Sequence, residues 1–528
     1  ANGYVRLIGG MVRHSHLMVV IALVIVAAAF YGMTRIPTGF LPTEDQGYLL
    51  VSAQLPDGAS LERTRQVMAD ISARAEKVDG VAHVTAISGV SALDNSSSLA
   101  NAGVAYVVLK DWSVRGPKLA LRPIYAKLMA ALAPINAARV AVFPPPPIQG
   151  IGNTGGFSMQ IELKDGTFDL GKLQTIANQM ISHARSQSSF RNVSTSFRAT
   201  VPQLTIDVDR VKAETLHVSV DQVFDTLSTY LGSNYVGQFN KFGHVFQVYA
   251  QADSRFRLLP VNVANLPVRT ASGTMIPLGT IVHLTPSVGP ALLSLYNLYP
   301  TAGINGVPAI GVSSGESMKL MDEIAAKTLP PGAGYEWTAM SYQEKIAGTQ
   351  IYYAFGLALL LVYLVLAGQY ESWYAPISVI LAVPLSLLGP VATFNLIGLD
   401  NNLYVQIGLV LLIALSAKNA ILIVEFARDL RRDGHSVIEA ATGAARERFR
   451  PILMTSFAFI LGVAPLVFAQ GAGAAARKSI GITVFTGMIA STCLAVLFVP
   501  AFFVVIQSFE EWRRSKKRPA ATAAQPAE

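Results

Sequence analysis

The stretch that decides the fold covers residues 404–428, YVQIGLVLLIALSAKNAILIVEFAR. It is almost wholly apolar over about twenty residues, enough to cross a bilayer as one helix. Two residues interrupt it, Lys418 and Asn419, both well inside the run. A charged side chain at the centre of a membrane helix costs roughly 2.5–3.5 kcal/mol on insertion scales, so it persists mainly where it has a task. The competing reading is a lysine that snorkels to water. The polar end of the run is marked by Arg428, about 15 Å further along the axis. Side chains tilt toward a helix's N-terminus, away from that end, so the reach would be long and backwards. The residues point instead to a buried, paired and functional lysine.

Around this stretch the 528-residue chain is 52% hydrophobic and 14% charged, with a mean hydropathy of +0.42. That balance is too apolar for a wholly water-soluble protein and too polar for one confined to a membrane. The length corresponds to about three or four domain-sized units. The single cysteine, Cys493, lies in an apolar run, which excludes an internal disulfide framework and a cysteine-based zinc site. The net charge of +8 calls for no nucleic-acid partner, because much of it flanks apolar runs. The first ten residues carry neither an initiator methionine nor a signal-peptide pattern, and the sequence reads as a segment of something longer.

Residues 17–33, LMVVIALVIVAAAFYGM, form the first spanning run, preceded by Arg6, Arg13, His14 and His16. Residues 34–350 have ordinary soluble composition. Five more runs follow, at 351–368, 376–398, 404–424, 452–469 and 482–506, each reaching the ~17–25 residues a membrane helix needs. Pro384 and Pro390 should kink the third span, which neighbouring helices can compensate. Six spans leave both ends on one side, and positive charge says which. Arg6 and Arg13 precede the first span, and Arg428, Arg431, Arg432, Arg446, Arg448 and Arg450 lie between the fourth and fifth. Arg513, Arg514, Lys516, Lys517 and Arg518 follow the sixth, whereas the other side offers LDNN at 399–402 and only Arg477 with Lys478 in its other short loop. The termini are expected in the cytoplasm, the large insert across the membrane, and the Ala-, Pro- and Gln-rich tail after Arg518 without fixed structure.

The insert alternates strand-like and helix-like segments. Strands are predicted at 48–54, 81–88, 103–109 and 139–143, with helices at 61–75, where Ser60 is the expected N-cap, and at 123–132. That order, βαββαβ, makes a small ferredoxin-like sandwich. A second copy begins with a strand at 157–163, a helix at 170–186 and a strand at 193–197. Its closing half is expected at 309–312, 316–327 and 335–338. Between these halves lies an insertion, about 202–290, with a strand at 203–209, a helix at 220–231 and a hairpin pairing 235–239 with 245–250. Residues 142–156, VFPPPPIQGIGNTGG, read as a stiff proline spacer made pliable by glycines. Residues 87–103, ISGVSALDNSSSLANAG, read as a long polar loop, a class that often carries function. The fold class is thus a six-span helical membrane bundle with an α+β insert.

At this point the chain resembles the C-terminal half of a bacterial multidrug efflux pump of the resistance-nodulation-division (RND) superfamily, hydrophobe/amphiphile type. The residues that carry the resemblance are FLPTEDQG at 40–47, LKDW at 109–112, YESW at 370–373, LSAKNAILIVEFA at 415–427, RPILMTS at 450–456 and FVPAFFVV at 498–505. They occur throughout the chain in the family's order. The resemblance implies a cytoplasmic segment at 1–16, a first membrane helix at 17–33 and a first porter subdomain at 34–150. It implies a second porter subdomain in two parts, 151–201 and 291–345, with a docking subdomain inserted at 202–290. Five membrane helices at 346–507 and a cytoplasmic tail at 508–528 complete the chain. It further implies a proton-driven exporter of small hydrophobic or amphiphilic compounds in a Gram-negative inner membrane, with its insert in the periplasm. The implied partners are an N-terminal half carrying two adjacent intramembrane aspartates, two further copies in a homotrimer, a periplasmic adaptor and an outer-membrane channel.

Carried over residue by residue, the family's proton relay falls on Lys418 and Asn419 in the fourth span and on Thr455 and Arg448 at the start of the fifth. This chain has no intramembrane carboxylate of its own to match, since Glu425 lies near the cytoplasmic end. Lys418 is expected to be the counter-charge that holds the missing aspartates ionised until protons release it. The competing reading of Thr455 is a hydroxyl bonded back to its own helix, and of Arg448 a positive-inside anchor. Substrate contacts are expected at Tyr106 and Phe143, with strand packing as the competing reading. Val90 and Ala92 stand where the family often has phenylalanine, and a less aromatic pocket changes which flat drugs it can hold.

Other functions fit the residues less well. No G-x-x-x-x-G-K-[ST] loop is present, Gly473–Ser479 reading GAAARKS, which argues against an ATP-driven pump. The eight histidines are scattered, no H-E-x-x-H occurs and the soluble carboxylates show no paired site, so no enzyme, resident metal or cofactor is expected. A metal-ion exporter of the same superfamily would need soft ligands along a path, and the methionines do not line up as one. A non-transporting assembly or sensor half would gain stability from leucine at 418.

Overall fold

The computed structural model describes residues 2–94, 96–152, 155–309 and 311–517; the Ala-, Pro- and Gln-rich tail expected after Arg518 lies outside them. The chain forms two compact units, Ala1–Ser196 with Ser294–Glu528, and Phe197–Leu293.

In the first unit, α1 (Asn2–Arg13) precedes α2 (Ser15–Thr34). The first sheet follows, built from β1 (Tyr48–Gln54), α3 (Leu61–Ala75), β2 (Val81–Ser91), β3 (Ser97–Leu109), α4 (Trp112–Arg115), α5 (Leu121–Leu132) and β4 (Arg139–Phe143). Its order is β2–β3–β1–β4, with every neighbour antiparallel. Ser60 caps α3, its hydroxyl accepting from the Arg63 N–H at 3.3 Å. Helices α3 and α5 cover one face, where Met68, Ile71, Ile124 and Leu128 bury Leu49, Val51 and Val107. Strand side chains alternate between faces, so Leu50, Val104 and Tyr106 point the other way. The loop expected over 87–103 is corrected: β2 and β3 run on, with Val90 opposite Ser98 and Ser91 opposite Ser97. A ladder is made by backbone groups, and small polar side chains do not prevent it.

A second sheet uses β5 (Phe157–Leu163), α6 (Leu170–Arg185) and β6 (Phe190–Thr195). After the second unit the chain returns with β13 (Ser294–Tyr296), β14 (Tyr299–Pro308), α10 (Ser314–Thr328) and β15 (Ala333–Trp337). The order β6–β14–β5–β15 repeats that of the first sheet: second, third, first and fourth strand. The strand expected at 309–312 is corrected, because β14 ends at Pro308. Its sequence, YPTAGINGVP, has little strand propensity, but it is paired on both sides, by β5 and by β6.

Among the described residues, six helical segments of this unit are long and apolar enough to span a membrane: α2, α11 (Ala339–Tyr370), the run Ala375–Ile397, α15 (Leu403–Arg432), α16 (Val437–Val467) and α17 (Ala474–Lys517). The third is broken into α12 (Ala375–Ile380), α13 (Ala382–Ser386) and α14 (Leu388–Ile397). Its breaks, Leu381 and Leu387, each lie three residues before a proline, where the ring crowds the preceding turn and an amide donor is missing. Helices come close where glycine allows it: a Cβ on Gly389 would collide with the Thr486 carbonyl oxygen.

Helix α17 runs unbroken through Pro500. A proline at 500 cannot donate to the carbonyl four residues back, and Tyr4 of α1 donates its hydroxyl to that Val496 carbonyl at 2.9 Å. Burial pushes the Tyr4 phenol well above its ordinary pKa, so it remains a donor, and its ring stacks on Phe449 at 4.3 Å. Tyr4→Phe is expected to lower stability by about 1–3 kcal/mol, read as a melting shift in detergent. Adding Pro500→Ala should return most of it by restoring the helical donor; equal melting of Tyr4→Phe and the parent would refute the assignment.

The second unit holds β7 (Val201–Val208), α7 (Arg210–Thr215), α8 (Val220–Leu227), β8 (Asn234–Lys241), β9 (His244–Ala250), α9 (Pro260–Ala264), β10 (Pro267–Arg269), β11 (Met275–Pro277) and β12 (Val282–Gly289). Strands β7 and β12 pair antiparallel over a core of Val223, Val263, Val268 and Leu278. Strands β8 and β9 form the expected hairpin, and Tyr235, Phe239, Phe246 and Tyr249 on it are exposed.

Candidate functional site

Helix α15 starts on Asn402, whose side chain accepts from the Val405 N–H at 3.0 Å and donates to the Ser479 hydroxyl at 3.2 Å. Further along, Asn419 is 1% exposed and donates to the Ser456 hydroxyl of α16 at 3.4 Å. That contact sets the register of the two helices. It also puts Ser456, rather than Thr455, against Asn419. The Thr455 hydroxyl donates to the Ile452 carbonyl of its own helix at 3.1 Å.

The burial and pairing expected of Lys418 depend on acids from a complementary half, and within this chain the side chain stands open. Lys418 is exposed and lies in a stripe with Ile407, Leu411 and Ala414, spaced as one helix face. None of the described residues covers that stripe, which is why the side chain is open although its level in the helix is apolar. Among the described residues its ammonium makes no hydrogen bond or ion pair, and it stands 5.1 Å from the ring centroid of Phe459 on α16. Arg448 is not brought to Lys418. Its guanidinium lies 4.7 Å over Phe426 of α15, about 12 Å along the axis from the level of Lys418.

The pocket candidates share the face of the first sheet that α3 and α5 leave bare. Leu50 is the register partner of Phe143 on one side and of Tyr106 on the other, so the three side chains form one row. Phe143 is 1% exposed and clusters with Leu50 and Val104, against which Tyr48, Val90, Ala92, Leu93 and Val307 of β14 pack. Phe143 thus acts in packing, whereas Tyr106 is 39% exposed, its ring 6.3 Å from Tyr48. Two further contacts join the first sheet's layer to the second's, one at the β2–β3 turn and one at α5. Ser196 donates to the Asp94 carboxylate, and Arg191 lies 4.3 Å over Tyr125. Burial raises the Tyr125 pKa, with the Arg191 charge opposing it.

The sequence assigns no role to the segment leading from α2 to β1, which touches nearly every other part of this unit. Pro37 accepts from the Asn401 N–H, and Phe40 accepts from the Leu403 N–H, at 2.8 and 2.9 Å. The Thr38 carbonyl accepts from the Gly315 N–H at 3.2 Å, and the Phe40 N–H donates to the Ser314 hydroxyl at 3.3 Å. Glu44 accepts from the Ala475 and Ala476 N–H groups at the start of α17, at 3.1 and 2.7 Å. Asp45 pairs with Arg115 at 2.9 Å, and Gln46 donates to the Pro146 carbonyl at 2.8 Å. The expected proline spacer is therefore held in place: Pro145 and Pro146 are buried, and the Gly155 N–H returns to the Pro144 carbonyl at 2.9 Å. The adjacent acids of FLPTEDQG were the available signal, but backbone contacts leave no periodic trace.

The geometry can be set beside known proteins. Multidrug resistance protein MdtF of Escherichia coli (strain K12) is 41% identical over 493 residues, covering 92% of this chain and 47% of that protein. Multidrug export protein AcrF of the same strain is 39% identical over 509 residues, 96% of this chain and 49% of that protein. Toluene efflux pump membrane transporter TtgB of Pseudomonas putida is 38% identical over 509 residues, 96% of this chain and 48% of that protein. The chain spans about half the length of the curated relatives it matches. The pattern of one family fits residues 1–507, nearly the whole chain, and the chain belongs to that family, AcrB/AcrD/AcrF.

Proposed function

We propose that this chain is half of a proton-driven exporter of hydrophobic and amphiphilic compounds, a secondary active transporter of the Gram-negative inner membrane. The observation that carries the reading is Lys418, a cation at the apolar level of α15 on a stripe the described residues leave open. A charge held there against its insertion cost calls for a partner, and two carboxylates from a complementary half would supply one. In that reading Lys418 is the counter-charge, Asn419 sets the helix register, Thr455 lies on the adjoining turn, and Arg448 acts from a separate level.

The two sheets of like strand order would be ferredoxin-like porter subdomains, 34–150 and 151–201 with 291–345, and 202–290 the docking subdomain. The open row around Tyr106 suits flat apolar cargo, with Val90 and Ala92 widening it and Phe143 forming its floor. The β8–β9 arm, aromatic and exposed, suits assembly into a homotrimer, which would work with a periplasmic adaptor and an outer-membrane channel. The names of the relatives, multidrug and solvent pumps, support this reading.

Cells making this chain alone should accumulate an amphiphilic fluorescent dye as fast as cells without it. Co-production with a complementary half carrying the two aspartates should restore extrusion that stops when the proton gradient is collapsed. Extrusion that survives an uncoupler would overturn the proton-driven reading.

A further inference from the structure

We propose that Phe459 is a positioning residue for Lys418, the π face on which the ammonium rests when no ionised carboxylate holds it. The proposal rests on the reading of Lys418 as the counter-charge and adds where that charge goes when released. Four observations carry it. The Lys418 nitrogen stands 5.1 Å from the Phe459 centroid, within the range of a cation–π contact. Among the described residues the ammonium has no hydrogen bond or ion pair that competes. The Asn419–Ser456 bond ties the neighbouring residue of α15 to the residue three before Phe459, which keeps the positions that carry the ring and the lysine side by side. The Thr455 hydroxyl proton is committed to the Ile452 carbonyl.

The same arrangement recurs with the helices exchanged. Arg448 of α16 lies 4.7 Å over Phe426 of α15, so each helix supplies one cation and one ring to the other. A ring differs from a carboxylate in a way the relay needs. It attracts the cation through its quadrupole, it takes no proton, and it binds more weakly than an ionised carboxylate out of water. The ammonium would leave the ring for an ionised acid and return when that acid is protonated. An aliphatic side chain at 459 fills similar space but offers no such rest position.

The test replaces Phe459 with mono-, di- and trifluorophenylalanine, which keep the shape while draining the ring's quadrupole. Substitutions are made at the native chromosomal locus, so that the chain keeps whatever it works with. Export rate of a fluorescent substrate is expected to fall stepwise, reaching about fivefold at the trifluoro ring, with Phe459→Leu falling at least as far and Phe459→Trp staying near the parent. A flat fluorination series in cells where Lys418→Met is inactive overturns the role of Phe459 and leaves the counter-charge reading standing. Export undiminished in Lys418→Met removes the counter-charge reading and this inference together.

Discussion

Lys418→Met is expected to lower drug resistance to that of cells lacking the chain, while the protein inserts, accumulates and melts at least as well as the parent. The two halves of that outcome follow from one balance. An ammonium at the apolar centre of a helix opposes insertion by roughly 2.5–3.5 kcal/mol, and methionine of similar length removes the penalty while keeping the stem. Nothing in the chain loses a hydrogen bond or ion pair, because Lys418 makes none among the described residues; what is lost is the contact with Phe459. A side chain that is costly to keep and harmless to remove has no structural reason to be there. Susceptibility assays with a set of amphiphilic drugs, together with immunoblots, check both halves. Normal resistance would sink the relay role. Loss of resistance together with loss of protein would reassign Lys418 to assembly.

The membrane part of the fold is open to the sequence because its signals are local. Span length, the break before Pro384 and Pro390, and the Ser60 cap each depend on a few residues and their neighbours. The sequence misplaces β14 because YPTAGINGVP becomes a strand by pairing with β5 and β6, and long-range pairing overrides propensity. Residues 87–103 read as loop for the same reason.

In the candidate site, Lys418 and Asn419 stand out by polarity in an apolar run, but their surroundings do not. Which residue of α16 meets Asn419 depends on the register of two helices. A shift of one residue separates Ser456 from Thr455, and one sequence does not contain it. The exposure of Lys418 is hidden differently. Burial depends on what lies beside a helix face, and hydropathy records only that the face is apolar.

The contacts of residues 37–47 lead to the second large effect, at the pair Asp45 and Arg115. The Arg115 side chain is 2% exposed, against 22% for Asp45, at 2.9 Å. Among the described residues no Arg115 nitrogen makes a well-directed hydrogen bond, so the carboxylate acts chiefly by its charge, with Trp112 5.7 Å from the guanidinium. Removing one member of a buried pair leaves the other charge uncompensated and costs about 3–5 kcal/mol. Asp45→Ala should therefore destabilise the chain by that amount, seen in denaturant titration of the detergent-solubilised protein. Asp45→Leu combined with Arg115→Met should recover most of it, since apolar replacement of both members is often neutral. Glu62 and Arg65 supply the contrast: they pair at the same 2.9 Å, but their side chains are 57% and 72% exposed, and losing one should change nothing measurable. At equal distance, burial decides which pair is costly to break. If Asp45→Ala melts like the parent, Arg115 reaches water or another acid, and Asp45 is not what holds the end of this segment to the first sheet. If the single variant fails and the double variant recovers stability without recovering export, the charge itself serves the coupling between membrane helices and sheet, over and above the packing.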